Sequence, residues 1–252
     1  MARIRAVAVS FLTDPERLAR LLPPALQLSG EPVVTVELMA ITELQWLAGR
    51  GYNTLGVRFP VRHRGPQREV TGPFLAVLWE NKADPIITGR EELGYAKLFC
   101  DIPPGRLLDG QEHFEASWEG HRFMTMSVQQ LKAVTPAHKA ADAHNAPDAH
   151  NAHNAPDTPD GTLHHRYLPG LGRPGQAAVD ELVITPPSPC VALLSQAVGE
   201  RSVQFSPSTW QQLPTLAHIV NTLADLPQLA QRGASVTELR SDTSLHNHHI
   251  LA

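Results

Sequence analysis

The sequence predicts a mainly β, α+β protein built on an antiparallel, barrel-like sheet with a few peripheral helices. Three observations lead there. Short apolar runs of strand length, rich in β-branched and aromatic residues, recur at residues 3–12, 32–41, 74–79, 99–102 and 123–128. Few segments carry helical spacing. The strands do not alternate regularly with those helices, which disfavours a parallel α/β design.

The elements follow in chain order. Residues 3–12 read as a first strand. The opening MARIRAVAVSFL also imitates a weak signal peptide, but TDPERLAR follows at once with no small-residue cleavage site. TDPERLARLLPPAL reads as a short helix: Thr13 or Asp14 can cap it, Pro15 suits the first turn, and Glu16 complements the dipole. Leu18, Leu21 and Leu22 form its apolar stripe, which Pro23 ends. After the middle strands, Thr88-Gly89-Arg90-Glu91 punctuates the chain. Residues 166–168 and 178–184 read as later strands, and a second helix runs from Leu213 or Thr215 through Leu223. Residues 1–252 read as one domain with a disordered low-complexity insertion at about 136–163, where AHNAPD occurs twice and there is almost nothing to bury.

Composition narrows the function. A net charge of -4 with scattered arginines gives no footprint for nucleic acid or an anionic membrane, so a small molecule is the expected partner. No stretch approaches the ~18 apolar residues of a membrane span. Cys100 and Cys190 alone exclude a disulfide framework and a four-cysteine zinc site, and fit a reducing, cytoplasmic setting. Histidines crowd the insertion (His138, His144, His150, His153, His164, His165) and the tail (His246, His248, His249). Metal sites need ligands on a rigid frame with supporting hydrogen bonds, which a floppy repeat lacks, so no functional metal is expected. No G-x-S-x-G elbow, P-loop, H-E-x-x-H or helix-opening G-x-G-x-x-G occurs, and no cofactor is expected.

Lysine usage carries the sharpest chemical signal. Four lysines (Lys82, Lys97, Lys132, Lys139) stand against seventeen arginines, and Lys97 lies among Tyr95, Ala96, Leu98 and Phe99. A desolvated lysine loses its proton and becomes a nucleophilic amine, whereas arginine stays protonated. Burial near a strand start would push Lys97 toward that state. The same pattern also fits a lysine that reaches to water or pairs with Glu91, Glu92 or Asp101.

Gly89-Arg90-Glu91, five further residues and then Lys97 resemble the G-R-E-x-x-x-Y-P-K-K pattern of the acetoacetate decarboxylase family, whose first lysine forms a Schiff base. TDPERLARLLPPALQL resembles that family's early T-D helix and proline turn, and VTVELMA at 34–40 resembles its F-E-I-M-A strand. Gly51-Tyr52 through Pro60-Val61 and RYLPGLG resemble later segments. The resemblance implies catalytic roles for Lys97 and Glu37, substrate binding by Arg5, Arg90 and Thr54, and support from Gly89, Glu91 and Tyr95. Arg3 shares a strand face with Arg5. Departures accompany the match: Leu98 replaces the second lysine, Ala96 a proline, and Thr54 a glutamate, and threonine cannot act as a carboxylate acid. Glu37 reads equally as the salt-bridge partner of an arginine such as Arg90, and Arg90 with Glu91 as a loop-fixing pair. LGYAKLF also resembles an L-G-Y-P-K-L-F stretch just beyond the family's lysine pair. On that pairing the catalytic lysine is deleted and Lys97 is structural.

By resemblance, the expected protein is a cofactor-free Schiff-base lyase that decarboxylates a β-keto acid through an iminium on Lys97, as a homo-oligomer. Activation of such a lysine by desolvation or a cationic neighbour is established chemistry for that family. Two other readings stay open: an aldolase-, dehydratase- or cyclase-type enzyme acting on a pyruvate-like α-keto acid, and a non-catalytic ligand-binding member of the fold.

Overall fold

The computed structural model describes residues 1–66, 68–134, 159–187, 191–241 and 248–251. β1 (Ala2–Leu12) leads into α1 (Pro15–Ala19), where the Asp14 side chain accepts from the Arg17 amide at 2.8 Å and Pro15 opens the first turn. The helix is shorter than its leucines suggest. Beyond Ala19 the Leu21 and Leu22 amides bond three residues back, to Leu18 and Ala19, before Pro23 and Pro24, which have no N–H to donate. β2 (Leu26–Leu28), β3 (Val33–Thr42), β4 (Tyr52–Arg64) and β5 (Glu69–Glu80) follow. The stretch expected to punctuate the chain is instead α2 (Ala83–Glu91), which leads to β6 (Lys97–Phe99). β7 (Arg106–Leu108), β8 (Gln111–Trp118) and β9 (His121–Ala133) precede β10 (Thr162–Pro169) and β11 (Ala177–Thr185). β12 (Val191–Phe205), α3 (Ala217–Ala224), β13 (Ala230–Ser241) and β14 (His249–Leu251) complete the described elements.

These strands form one sheet in the order β14-β11-β10-β5-β4-β3-β1-β13-β12-β9-β8-β7, with β2 added on β4 and β6 on β5. It is mixed. β6 and β10 both run parallel to β5, β10 meeting it at Phe74 and β6 at Leu78 to Glu80, while the other pairs are antiparallel. Among the described residues the barrel-like sheet does not close, and β14 and β7 are the ends of its path.

Side-chain alternation sorts the strands onto two faces. Val7, Val9, Val36, Leu38, Leu55, Val57, Val77 and Trp79 point into the main core, which α1 and α3 cover with Leu18, Val220 and Leu223. The opposite face holds a smaller cluster of Ile4, Ala6, Met39, Ile41 and Leu44 with Tyr52 packed against it. The register places Ala8, Glu37, Gly56, Leu78 and Lys97 in one row on this second face, with Met39, Thr54 and Glu80 in the neighbouring row. Polar chemistry therefore lies on the face away from the main core.

Residues 135–158, most of the expected insertion, lie outside the described residues, as do Cys190 and His246. Of the insertion's far end, Thr162 and Leu163 already belong to β10. Among the described residues, no helix is long and apolar enough to cross a membrane.

Candidate active site

Lys97 opens β6 with its side chain folded back under α2 and 6% exposed. Its Nζ lies 2.8 Å from Glu80 Oε1 and donates to the Pro85 carbonyl oxygen at 3.0 Å. Gly89 makes the arrangement possible, because a Cβ there would collide with Cε and Nζ of Lys97. Helical glycine costs about 1 kcal/mol relative to alanine, and here that cost gives a lysine passage across a helix. Arg90 donates from Nη1 to the Lys97 carbonyl oxygen at 2.9 Å and so fixes the backbone at the entrance of β6.

The pair is dry. Burial lowers the Lys97 pKa against the opposing pull of the Glu80 charge, and burial raises that of Glu80 against the pull of Lys97. Both shifts move toward the same state, a neutral amine beside a neutral carboxyl group. Glu80 Oε2 and the hydroxyl of Thr54, which pairs with Glu80 across β4 and β5, are both buried without a hydrogen-bond partner among the described residues. Such orphaned groups are rare in cores, and each costs about 1–3 kcal/mol. Aromatic groups surround the pair. Lys97 Nζ stands 5.5 Å from the centre of the Tyr95 ring, burial pushes the Tyr95 phenol up to about 12, and burial beside Glu80 raises the Tyr52 phenol further.

Glu37 shares the sheet face but not the site. It is held by Arg58 at 2.8 Å, with both side chains almost completely buried. The partner is thus Arg58 rather than Arg90. β4 and β5 separate β3 from β6, which at the usual strand spacing sets the Glu37 and Lys97 backbones roughly 14 Å apart. Burial pushes the Glu37 carboxyl up to about 7, against the lowering pull of the Arg58 charge and hydrogen bond.

The other expected site residues divide. Gly89 and Tyr95 lie against the Lys97 side chain, and Thr54 is the register partner of Glu80. Arg90 touches its backbone and not its amine. Glu91 ends α2 exposed, offering its carbonyl oxygen to Arg166. Arg5 lies on the opposite face, because odd-numbered residues of β1 point to the main-core side; it grips both carboxylate oxygens of Glu112, at 3.0 and 2.6 Å. Arg3 pairs with Glu238 at 2.8 Å. The Lys97 partner is none of Glu91, Glu92 or Asp101. Sequence reasoning missed Glu80, whose only signal is a carboxylate ending an apolar run, and it missed His164 and His248, which meet Tyr95 from distant strands. A small cavity of about 70 Å³ lies beside this wall, lined by Arg90, Gly94, Tyr95, Ala96 and residues of β10. Among the described residues, no three His, Cys, Asp or Glu side chains are placed to hold a metal.

Comparison with known proteins agrees with the resemblance. A family model described as acetoacetate decarboxylase matches residues 1–229. An acetoacetate decarboxylase of Clostridium botulinum (strain Eklund 17B / Type B) is 30% identical over 99 residues, which span 37% of this chain and 38% of that relative. Among solved structures, acetoacetate decarboxylase from Legionella pneumophila subsp. pneumophila str. Philadelphia 1 superposes with a TM-score of 0.71 at 18% identity, over 100% of this chain and 87% of the other. The enduracididine biosynthesis enzyme MppR complexed with pyruvate superposes with a TM-score of 0.65 at 17% identity, over 100% and 89%. At these identities the structural matches establish the fold.

Proposed function

The chain belongs to the acetoacetate decarboxylase family, and from that premise we propose that it is a Schiff-base lyase in which Lys97 attacks the ketone of a small β-keto acid and Glu80 handles the protons. The observation that carries this reading is the buried contact of Lys97 Nζ with Glu80 Oε1 at 2.8 Å, on a carboxylate whose second oxygen has no partner among the described residues. Glu80 takes the place expected of Glu37.

The chemistry follows from the neutral form of the pair. The Nζ lone pair forms a C–N bond to the ketone carbon, and the carbonyl π pair moves to oxygen, which takes up the proton that nitrogen gives away. The Glu80 carboxyl group then protonates the hydroxyl of this carbinolamine, the C–O bond breaks, and water leaves. The resulting iminium has the Glu80 carboxylate as its counter-ion. Its positive nitrogen accepts the electron pair of the C–C bond as carbon dioxide departs, giving an enamine. Protonation at carbon and hydrolysis return the ketone and the amine. Because the amine is packed under α2, access to it requires α2 or the 92–96 segment to yield, which couples opening to turnover.

Borohydride reduction during incubation with acetoacetate, followed by peptide mass analysis, tests the proposal. Trapping after decarboxylation leaves an isopropyl group on Lys97, whereas trapping before it leaves the carboxylate attached. Pyruvate supplies the second reading, favoured by the pyruvate complex of the similar fold: a carboxyethyl group on Lys97 with no carbon dioxide release from acetoacetate would assign α-keto acid chemistry. No adduct with either acid would make Lys97–Glu80 a structural ion pair and leave a non-catalytic member of the family.

A further inference from the structure

Beside Lys97, side chains from the 92–96 segment, β10, β11 and the residue preceding β14 make a continuous hydrogen-bond chain. His164 Nδ1 lies 3.1 Å from the Gly94 carbonyl oxygen and its Nε2 3.2 Å from Thr185 Oγ1. Thr185 Oγ1 lies 2.9 Å from the Tyr95 hydroxyl, which lies 3.0 Å from His248 Nε2. The directions follow by elimination. A carbonyl oxygen only accepts, so His164 carries its hydrogen on Nδ1. Burial lowers the His164 pKa to about 3, so the ring is neutral and its Nε2 accepts from Thr185. With its one hydrogen engaged, the Thr185 hydroxyl accepts from Tyr95, and Tyr95 in turn accepts from His248 Nε2–H. The chain has a single polarity from the tail strand to Gly94.

This has two consequences for Tyr95. Its phenolic hydrogen points away toward Thr185, so the ring has no acid to offer at Lys97; what it offers is its electron-rich face, 5.5 Å from Nζ. Its orientation is clamped by stacking on His164, with centroids 4.1 Å apart at 19°, and by the edge of His248 at 5.3 Å and 84°. β14 brings His248 there by pairing Leu251, Ile250 and His249 with Leu182, Val183 and Ile184 of β11. A neutral amine gains little from an aromatic face, while an ammonium or iminium nitrogen in a buried site is attracted to its negative quadrupole.

We propose that the Tyr95 ring is the wall that stabilises positive charge on the Lys97 nitrogen, and that the carboxy-terminal strand, through His248, is the lock that holds this wall in position. The proposal deepens the Schiff-base reading and rests on it for the iminium, but the same wall acts on the ammonium. Tyr95 and His248 are positioning residues.

The test replaces Tyr95 in the full chain by phenylalanine and then by phenylalanines carrying one, two and three ring fluorines, which keep the size of the ring and weaken its negative face. The Lys97 pKa, read by NMR of the labelled lysines, is expected to fall at each step. The yield of borohydride-trapped adduct at fixed keto acid is expected to fall in parallel, by about ten-fold across the series. A Lys97 pKa that ignores fluorination overturns the wall. That readout needs no carbonyl chemistry, so absence of any adduct in the unaltered chain would strike the Schiff-base reading and leave the wall to be judged by the pKa series. For the lock, His248→Leu is expected to lower the Lys97 pKa and His248→Gln, which keeps an N–H donor, to restore it; a leucine variant identical to the unaltered chain overturns it. Nitrogen-15 shifts showing His164 with its hydrogen on Nε2 would overturn the chain's direction.

Discussion

Two buried ion pairs lie on the same face of the sheet, Glu37 with Arg58 and Glu80 with Lys97, each closed at 2.8 Å. Distance does not distinguish them. The cations do, because a guanidinium keeps its proton under any burial a protein imposes, whereas burial lowers the pKa of an ammonium and favours its neutral form. The first pair always keeps the charge of its guanidinium, whereas in the second burial lowers the pKa of the amine and raises that of the carboxyl group, in the direction that frees the amine. The largest expected effect makes one pair into the other: Lys97→Arg abolishes covalent trapping to the detection limit while circular dichroism and the unfolding midpoint stay close to those of the unaltered chain. Trapping that survives in that variant would move the reactive amine elsewhere.

The first pair answers to stability instead. Glu37→Ala leaves the Arg58 guanidinium buried without its carboxylate and is expected to cost about 3–5 kcal/mol in urea unfolding. Replacing both residues together, Glu37→Leu with Arg58→Met, is expected to recover most of that loss, since a well-packed apolar pair matches or exceeds a buried ionic one. A double variant as unstable as the single one would show that Arg58 serves other partners more than Glu37.

The pH dependence separates the two regions further. The Glu37 pKa rises from 4.5 to about 7 on folding, so between those values the folded chain holds a proton that the unfolded chain has released. Stability from this group therefore declines as pH rises from 4.5 to 7 and is level above, by about 3 kcal/mol in all. His164, beside the second pair, falls from 6.5 to about 3, and its contribution rises with pH over that interval. The two slopes oppose each other between 4.5 and 6.5. Subtracting the chain's unfolding free energy from that of Glu37→Gln isolates the first: the difference is expected to grow by about 3 kcal/mol from pH 4 to pH 8. A flat difference would mean that Glu37 stays ionised beside Arg58.

Much of the first pair's setting is readable from the residues, and little of the second's. Alternation of Val36, Glu37 and Leu38 already places the carboxylate opposite the core, and Asp14-Pro15 marks the start of α1. Resemblance assigns Arg5 to the site, although period-two counting puts it with Val7 and Val9 rather than with Glu37. Scarcity of lysine marks Lys97, but its partner depends on parallel pairing of β5 with β6, a long-range register that no local pattern encodes. Thr88-Gly89-Arg90-Glu91 reads as punctuation because glycine is a poor helix former, yet these residues close α2, whose buried residues are Pro85 and Gly89, so its helicity comes from packing over Lys97 rather than from propensity. His248 reaches Tyr95 only through the docking of β14, 153 residues along the chain.

The smallest expected effect sharpens the contrast by its sign. Each pair has a buried threonine beside it on the same sheet face: Thr35, paired with Arg58 in the register, and Thr54, paired with Glu80. The Thr35 hydroxyl is 2.8 Å from that of Ser10, whereas the Thr54 hydroxyl has no partner among the described residues. Valine has nearly the same shape as threonine and no hydroxyl. Thr35→Val breaks a made hydrogen bond and leaves Ser10 unsatisfied, so it is expected to cost about 1 kcal/mol. Thr54→Val removes a hydroxyl that was already desolvated without compensation, so it is expected to stabilise the fold by about 1 kcal/mol. If Thr54 is kept polar to orient the keto acid or its departing water near Glu80, the same substitution slows trapping at Lys97. Gain in the unfolding midpoint together with loss of trapping is the signature of a polar group held for chemistry, and a Thr54→Val chain that is both less stable and equally reactive would place Thr54 among ordinary core residues.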